Sequence, residues 1–598
     1  TVRRVTFQLV KGKRGLILLL LMGLLGAIGA GYRALTGMAQ SQLSEAEEQL
    51  VLGDGESLTR AYQLFQENLS SADDDQLELA AFTASLLNLD YGAEHEPPTD
   101  LTVENSHTAF GGAAVVLNRL ASGDVTVARP DLETLLDSHP EDWVSHWTSA
   151  RVAIAEGDYS RALDALRTAR DLDSGAVLPV ATALRVSLER ADDEAVEELL
   201  GQLEALNPEH PSIALGRTLL AFGVDPTRSR AGALDVVLPE SEEAILSDYE
   251  ATMVEYVRAR QHLASWELRE VDSSLRALNQ RDTRSVRVAL LNAIVQAGGY
   301  QLDQALVSLE TARQLTDSNS HAVSIIGGLG AEIMLDLGRP DLALQQINGV
   351  TGFGLVAARA NIEAGNEGEA LRLLGRLMDQ PDTQEAAHRM LVDYHLRRGV
   401  PDRARMRAEA LTSTAGQAYA EARVAADEEH WEEAREAAER GLASAPADRD
   451  LLAIWSVAVS SLGQAELAIE RIDRAGSRRL LRGQLDQMRL DALRVSGRAP
   501  RETLAEYIRS LDSVQPTSVT RRASLAMAYE AIGDSERARQ HASAVLEAES
   551  NHRQVNALMG RLLHEVGAIE ESRQYLRTYL ALAPETEPTD WARELLRD

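Results

Sequence analysis

Apolar and small side chains recur along this chain at steps of three and four, the stride of a helix with one buried face. Leu58, Tyr62, Phe65 and Leu69 follow it, as do Ala162, Leu166 and Ala169. A longer period is laid over the short one. Gly123, Gly157 and Ala191 stand 34 residues apart, and five residues after each come Ala128, Ala162 and Val196. The spacing returns at Gly365 and Gly399, at Glu429, Gly463 and Gly497, and at Gly533 and Gly567. A 34-residue period with a small residue at most helix junctions predicts stacked helix–turn–helix units. Such units bury their apolar faces against their neighbours, so 598 residues need no single large core.

Breaks in the pattern divide the chain. Residues 40–221 read as a first array, 222–245 as an irregular junction punctuated by Pro226, Gly232 and Pro239, and 246–598 as a second array. The fold expected is all-α, with roughly twelve helical hairpins. Asp90–Thr102, with Pro97 and Pro98, reads as a loop. Gly338 to Gly365 spans only 27 residues, which predicts one shortened unit. The chain closes on PTDWARELLRD, read as a capping helix begun by Thr589 or Asp590.

The N-terminus departs from all of this. Residues 15–35 are apolar apart from Arg33, and as a helix they would extend about 31 Å, enough to cross a bilayer core. Residues 1–14 hold five of the six basic side chains that precede Ala34, which predicts a cytoplasmic tip with the remainder exported. A bacterial cytoplasmic-membrane protein with a periplasmic solenoid is the expectation. A cleaved signal peptide, with secretion to the periplasm, is the alternative. Gly23, Gly26, Ala27, Ala30 and Gly31 form a small face on which another membrane helix could pack.

Net charge is −32, and residues 1–33 contain no acid, so the body is more acidic still. That argues against a nucleic-acid partner. Lysine occurs only at Lys11 and Lys13; every other basic residue is arginine. Cysteine is absent, which rules out thiolate chemistry, cysteine-ligated zinc and disulfides. No nucleophile elbow, phosphate loop or zinc-protease helix is present. Glu94-His95-Glu96 reads as a solvated loop rather than a metal site. Asp171, Asp173 and Gly175 lack the spacing and the closing glutamate of a calcium loop. No catalytic residue, cofactor, metal or small-molecule substrate is expected.

The repeat resembles the tetratricopeptide repeat family. With Gly533 at position 15, Leu525 and Ala526 take its positions 7 and 8, Tyr529 takes 11, Ala538 takes 20, and Ala542 and Val545 take 24 and 27. In the last unit Met559, Gly560 and Leu563 take 7, 8 and 11, Leu576 takes 24 and Pro584 takes 32, while Ser572 departs from the alanine of position 20. In residues 143–176, Ala150, Ala162, Leu166 and Ala169 fill 8, 20, 24 and 27. The resemblance implies a non-enzymatic scaffold for protein partners, similar to the membrane-anchored repeat proteins of bacterial envelopes.

It also implies where a partner would bind. In the family, positions 2, 5, 9, 12 and 13 of each first helix line the concave surface. Position 9 is arginine at Arg151, Arg185, Arg359, Arg423 and Arg561, and position 5 holds Trp147 and Tyr419. Arginine forks could bind carboxylates of a partner, with the aromatics as apolar anchors. Equally, the arginines could pair with the abundant acids of adjacent helices.

Overall fold

Helical hairpins are built here by a two-residue device. Gly157 has φ +79°, and its N–H donates to Ile154 O at 2.9 Å while the N–H of Asp158 reaches Ala153 O at 2.9 Å. The helix Trp143–Glu156 is thereby closed by a left-handed residue. Asp158 then caps the next helix, Tyr159–Leu172, by accepting from Arg161 N at 3.0 Å. Gly53-Asp54, Ala191-Asp192 and Gly533-Asp534 repeat the arrangement. One residue ends a helix and the next begins another, so each pair is held antiparallel by a minimal turn.

In this computed structural model the described residues are 38–597 except 99–100, 124, 224–246, 266–267, 282–284, 299–300, 317–320, 351, 447, 477–481, 514–518 and 584–588. Among them the secondary structure is helical, with no strand. Every periodic position from Gly123 to Gly567 carries a positive φ, including Ala191 at +57° and Glu429 at +60°. These two are the only non-glycine residues in that region of backbone space among the described residues. The 34-residue period therefore tracks a backbone requirement and not glycine alone.

The described chain falls into two compact units, one of residues 38–221 with 247–254 and the other of 222–223 with 255–597. In the first, Phe65, Phe82 and Trp147 are fully buried. Phe82 meets Phe110 and Trp147 edge-on at centroid separations of 5.1 and 5.7 Å. In the second, core passes from hairpin to hairpin: Trp455 and Met488 pack in one cluster, and Leu490, Tyr529, Val545 and Leu562 in the next. Ala162, Leu166 and Ala169 are all buried, as their spacing requires.

Irregular sequence has structural counterparts. The short spacing after Gly338 leaves a second helix of only seven residues, Pro340–Gln346, and a following helix of ten, Gly354–Glu363. Ser572 sits where the repeat wants alanine, and its hydroxyl donates to Gly560 O at 2.7 Å, so it stays buried without an orphaned polar group. Gly560 must be small, since a Cβ there would lie 2.6 Å from Leu576 Cδ2. Asp73 caps the helix Asp74–Tyr91 in a reciprocal box with Gln76. The closing helix, Asp590–Leu595, starts after Thr589, which caps it without a side-chain hydrogen bond.

Residues 1–14, the apolar stretch 15–35 with Gly23, Gly26, Ala27, Ala30 and Gly31, and nearly all of 222–245 lie outside the described residues. Among those described, no helix is long and apolar enough to cross a membrane.

Candidate partner-binding site

The five position-9 arginines all sit on first helices of hairpins, and every one is already paired. Arg151, on Trp143–Glu156, grips Asp90 with both guanidinium nitrogens, Nη1 lying 2.7 Å from Oδ2. Arg185, on Val177–Arg190, shares Asp90 at 3.8 Å and donates from Nε to Glu189 Oε1 at 3.3 Å. Arg359 bridges Asp336 at 3.2 Å and Glu363 at 2.8 Å. Arg423 donates to Asp393 Oδ1 at 3.2 Å, and Arg561 pairs with Glu530 at 3.2 Å.

Burial separates these rungs. The Arg151 and Asp90 side chains are 9% and 16% exposed, whereas Arg561 and Glu530 are 45% and 36% exposed. Burial alone would push the Asp90 carboxyl up, but the charge and hydrogen bonds of Arg151, with the charge of Arg185, hold it below the usual carboxylate range. Glu189 and Glu363 go the other way: burial raises them more than Arg185 and Arg359 lower them. Burial works against the charge on Arg423, but Asp393 and the neighbouring phenol and acid outweigh it.

The two aromatics are core residues and not exposed anchors. Trp147 is fully buried, its indole N–H donating to Thr182 Oγ1 at 2.9 Å and its ring lying under the Arg151 guanidinium at 5.3 Å. Tyr419 is also buried; its hydroxyl donates to Asp393 Oδ2 at 2.9 Å and Arg389 stacks over the ring at 4.8 Å. At both residues position 5 points into the joint between hairpins.

The tetratricopeptide repeat family model matches residues 116–177 and 524–586. These two segments carry tetratricopeptide repeats. The matched segments bracket the Arg151 rung and the Arg561 rung, near opposite ends of the described sequence. Solved structures similar to the chain include the APC/C hetero-tetramer Cut9–Hcn1, 12% identical over 92% of this chain and 98% of that one, with a TM-score of 0.37. The TPR domain of P58(IPK) is another, 12% identical over 78% of this chain and 98% of that one, with a TM-score of 0.24. No curated protein matches the chain.

Four of the six acids that pair with these arginines carry a signal in the sequence that the arginine positions alone do not reveal. Asp90, Glu189, Asp336 and Glu363 each stand two residues before a left-handed junction, at Gly92, Ala191, Gly338 and Gly365. That is position 13, one turn beyond position 9 on the same helix face. Among the described residues no group of acids and histidines is arranged to hold a metal ion. His95 lies against Tyr62 with ring centroids 4.1 Å apart, and its backbone pairs with Asn88.

Proposed function

We propose that the chain is a non-enzymatic scaffold for protein partners, anchored in a bacterial cytoplasmic membrane by residues 15–35 with its repeats on the periplasmic side. The repeat architecture carries this reading: stacked hairpins offer long faces on which a partner can dock. Membrane attachment rests on the apolar run and the basic residues before it. The exposed rung of Arg561 and Glu530 is the docking element we favour, because its charges are wet and can be exchanged for a partner's carboxylates.

A second reading, a structural subunit of a large envelope assembly, draws on the internal pairing of all five arginines. A surface whose forks are already satisfied suits broad contact better than capture of a peptide. Purification through a C-terminal tag from gently solubilised membranes tests both. A scaffold brings down a defined partner that Arg561→Glu releases; a structural subunit brings down an assembly that ignores the substitution. A chain that fractionates away from membranes and alone overturns the proposal. A polysaccharide-secretion accessory would instead be recognised by co-purifying glycan-export proteins.

A further inference from the structure

In a stack of hairpins most contacts join neighbours. The second unit adds contacts between segments far apart in sequence. Arg553 lays its fork against Asp427, 126 residues away, with Nη1 and Nη2 at 3.4 and 3.1 Å from the two carboxylate oxygens. The pair is well sheltered, Asp427 being 7% and Arg553 18% exposed. Arg397 reaches Glu549, 152 residues away, at 3.5 Å. At Gly338 the backbones close down further, for a Cβ there would lie 2.4 Å from the Ala548 Cβ and 2.7 Å from Val519 Cγ2.

These contacts share a pattern. On one side stand hairpin turns: Gly338 is itself a left-handed junction, and Arg397 and Asp427 lie two residues before Gly399 and Glu429. On the other side stand the first residue of the helix Val519–Ala531 and the passage between the helices Ser535–Ala548 and Arg553–Glu565. Between the two sides lies a cavity of about 50 Å³, lined among others by Asp336, Arg359, Glu363, Arg397 and Glu549. One of the position-9 arginines thus borders a space that both sides enclose.

We propose that the second unit is fastened on itself by a clasp made of Gly338 against Ala548 and Val519, Asp427 with Arg553, and Arg397 with Glu549, and that its release opens the cavity beside Arg359. The clasp is small and largely ionic, while the hairpins it joins hold their own apolar cores. It can therefore part without unfolding either side. Glycine at 338 lets the two sides meet, and the Asp427–Arg553 fork fixes their register.

The chain has no cysteine, so two can be introduced cleanly for spin labels, at Met406 and Ser543, one on each side of the clasp. Both are exposed. Pulsed electron resonance on the full chain should give one narrow distance distribution. Gly338→Ala and, independently, Asp427→Asn should shift it to longer and broader distances. Gly365→Ala is the control: it bears the same left-handed strain, φ +77°, but its Cβ meets nothing within 4 Å, so the distribution should stay put. Should Gly338→Ala fail to fold, Asp427→Asn and Arg553→Gln read the same clasp. Distances that do not move in the Asp427 and Arg553 variants, or that move equally in Gly365→Ala, overturn the proposal.

Discussion

The Arg151 rung of the first unit and the Arg561 rung of the second occupy one repeat position yet live in different media. Arg151 lies over a buried indole and clamps a carboxylate from two hairpins back. Arg561 lies 5.6 Å above the ring of Trp591, beside an acid from the preceding hairpin, with solvent on its open side. Removing water raises the cost of breaking an ion pair far more than it raises the pair's net worth. The first rung is consequently part of the unit's interior, and the second is a place where a partner can compete. Repeat position names a face of a helix; packing decides whether that face is surface.

The comparison breaks most visibly at Trp147. Trp147→Ala should cost about 3–5 kcal/mol, since it empties a core site and removes the ring beneath the Arg151 guanidinium; a chemical-denaturation midpoint within error of wild type would show that the joint is not core. Next, Asp90→Ala should cost about 3 kcal/mol by leaving Arg151 buried without its acid. Its pH dependence has a definite sign. The folded carboxyl is held below its unfolded value, so its contribution is complete above roughly pH 4 and fades as pH falls through the depressed value. Asp90→Ala should therefore flatten the acid limb of the stability profile, and an unchanged limb would refute the pairing.

Smaller effects sharpen the contrast. Glu429 is exposed and sits at φ +60° where most repeats have glycine, so Glu429→Gly should stabilise the protein by about 1 kcal/mol in thermal unfolding. A loss of stability would mean that its side chain holds the turn. Smallest of all, Arg561→Ala should change stability by less than about 1 kcal/mol while weakening partner capture, because a half-exposed pair contributes little to folding. A large drop in stability would place Arg561 with Arg151 and erase the distinction.

Much of this architecture is written in the sequence. The small-residue period marked the left-handed junctions even at Ala191 and Glu429, where the residue type gives no hint, because a turn this short needs that backbone at a fixed interval. The spacing of Ala162, Leu166 and Ala169 gave the buried face for the same local reason. The ladder was half legible. Its arginines stand at one repeat position, but their acids do not: Asp90, Glu189, Asp336 and Glu363 lie two residues before a left-handed junction, Asp393 and Glu530 elsewhere, and the burial of Trp147 and Tyr419 is written in neither.

What the sequence by itself determined is what the chain decides locally: where helices end, which stripe is apolar, and that hairpins follow one another at near-constant length. Backbone preference and helical periodicity act within a few residues, so they are written there. Tertiary structure alone decided which charges are paired and which are wet. Asp90 finds Arg151 across 61 residues, and Asp427 finds Arg553 across 126. Such partners are chosen by the space left when hairpins stack, and the strength of each pair by the water that stacking excludes.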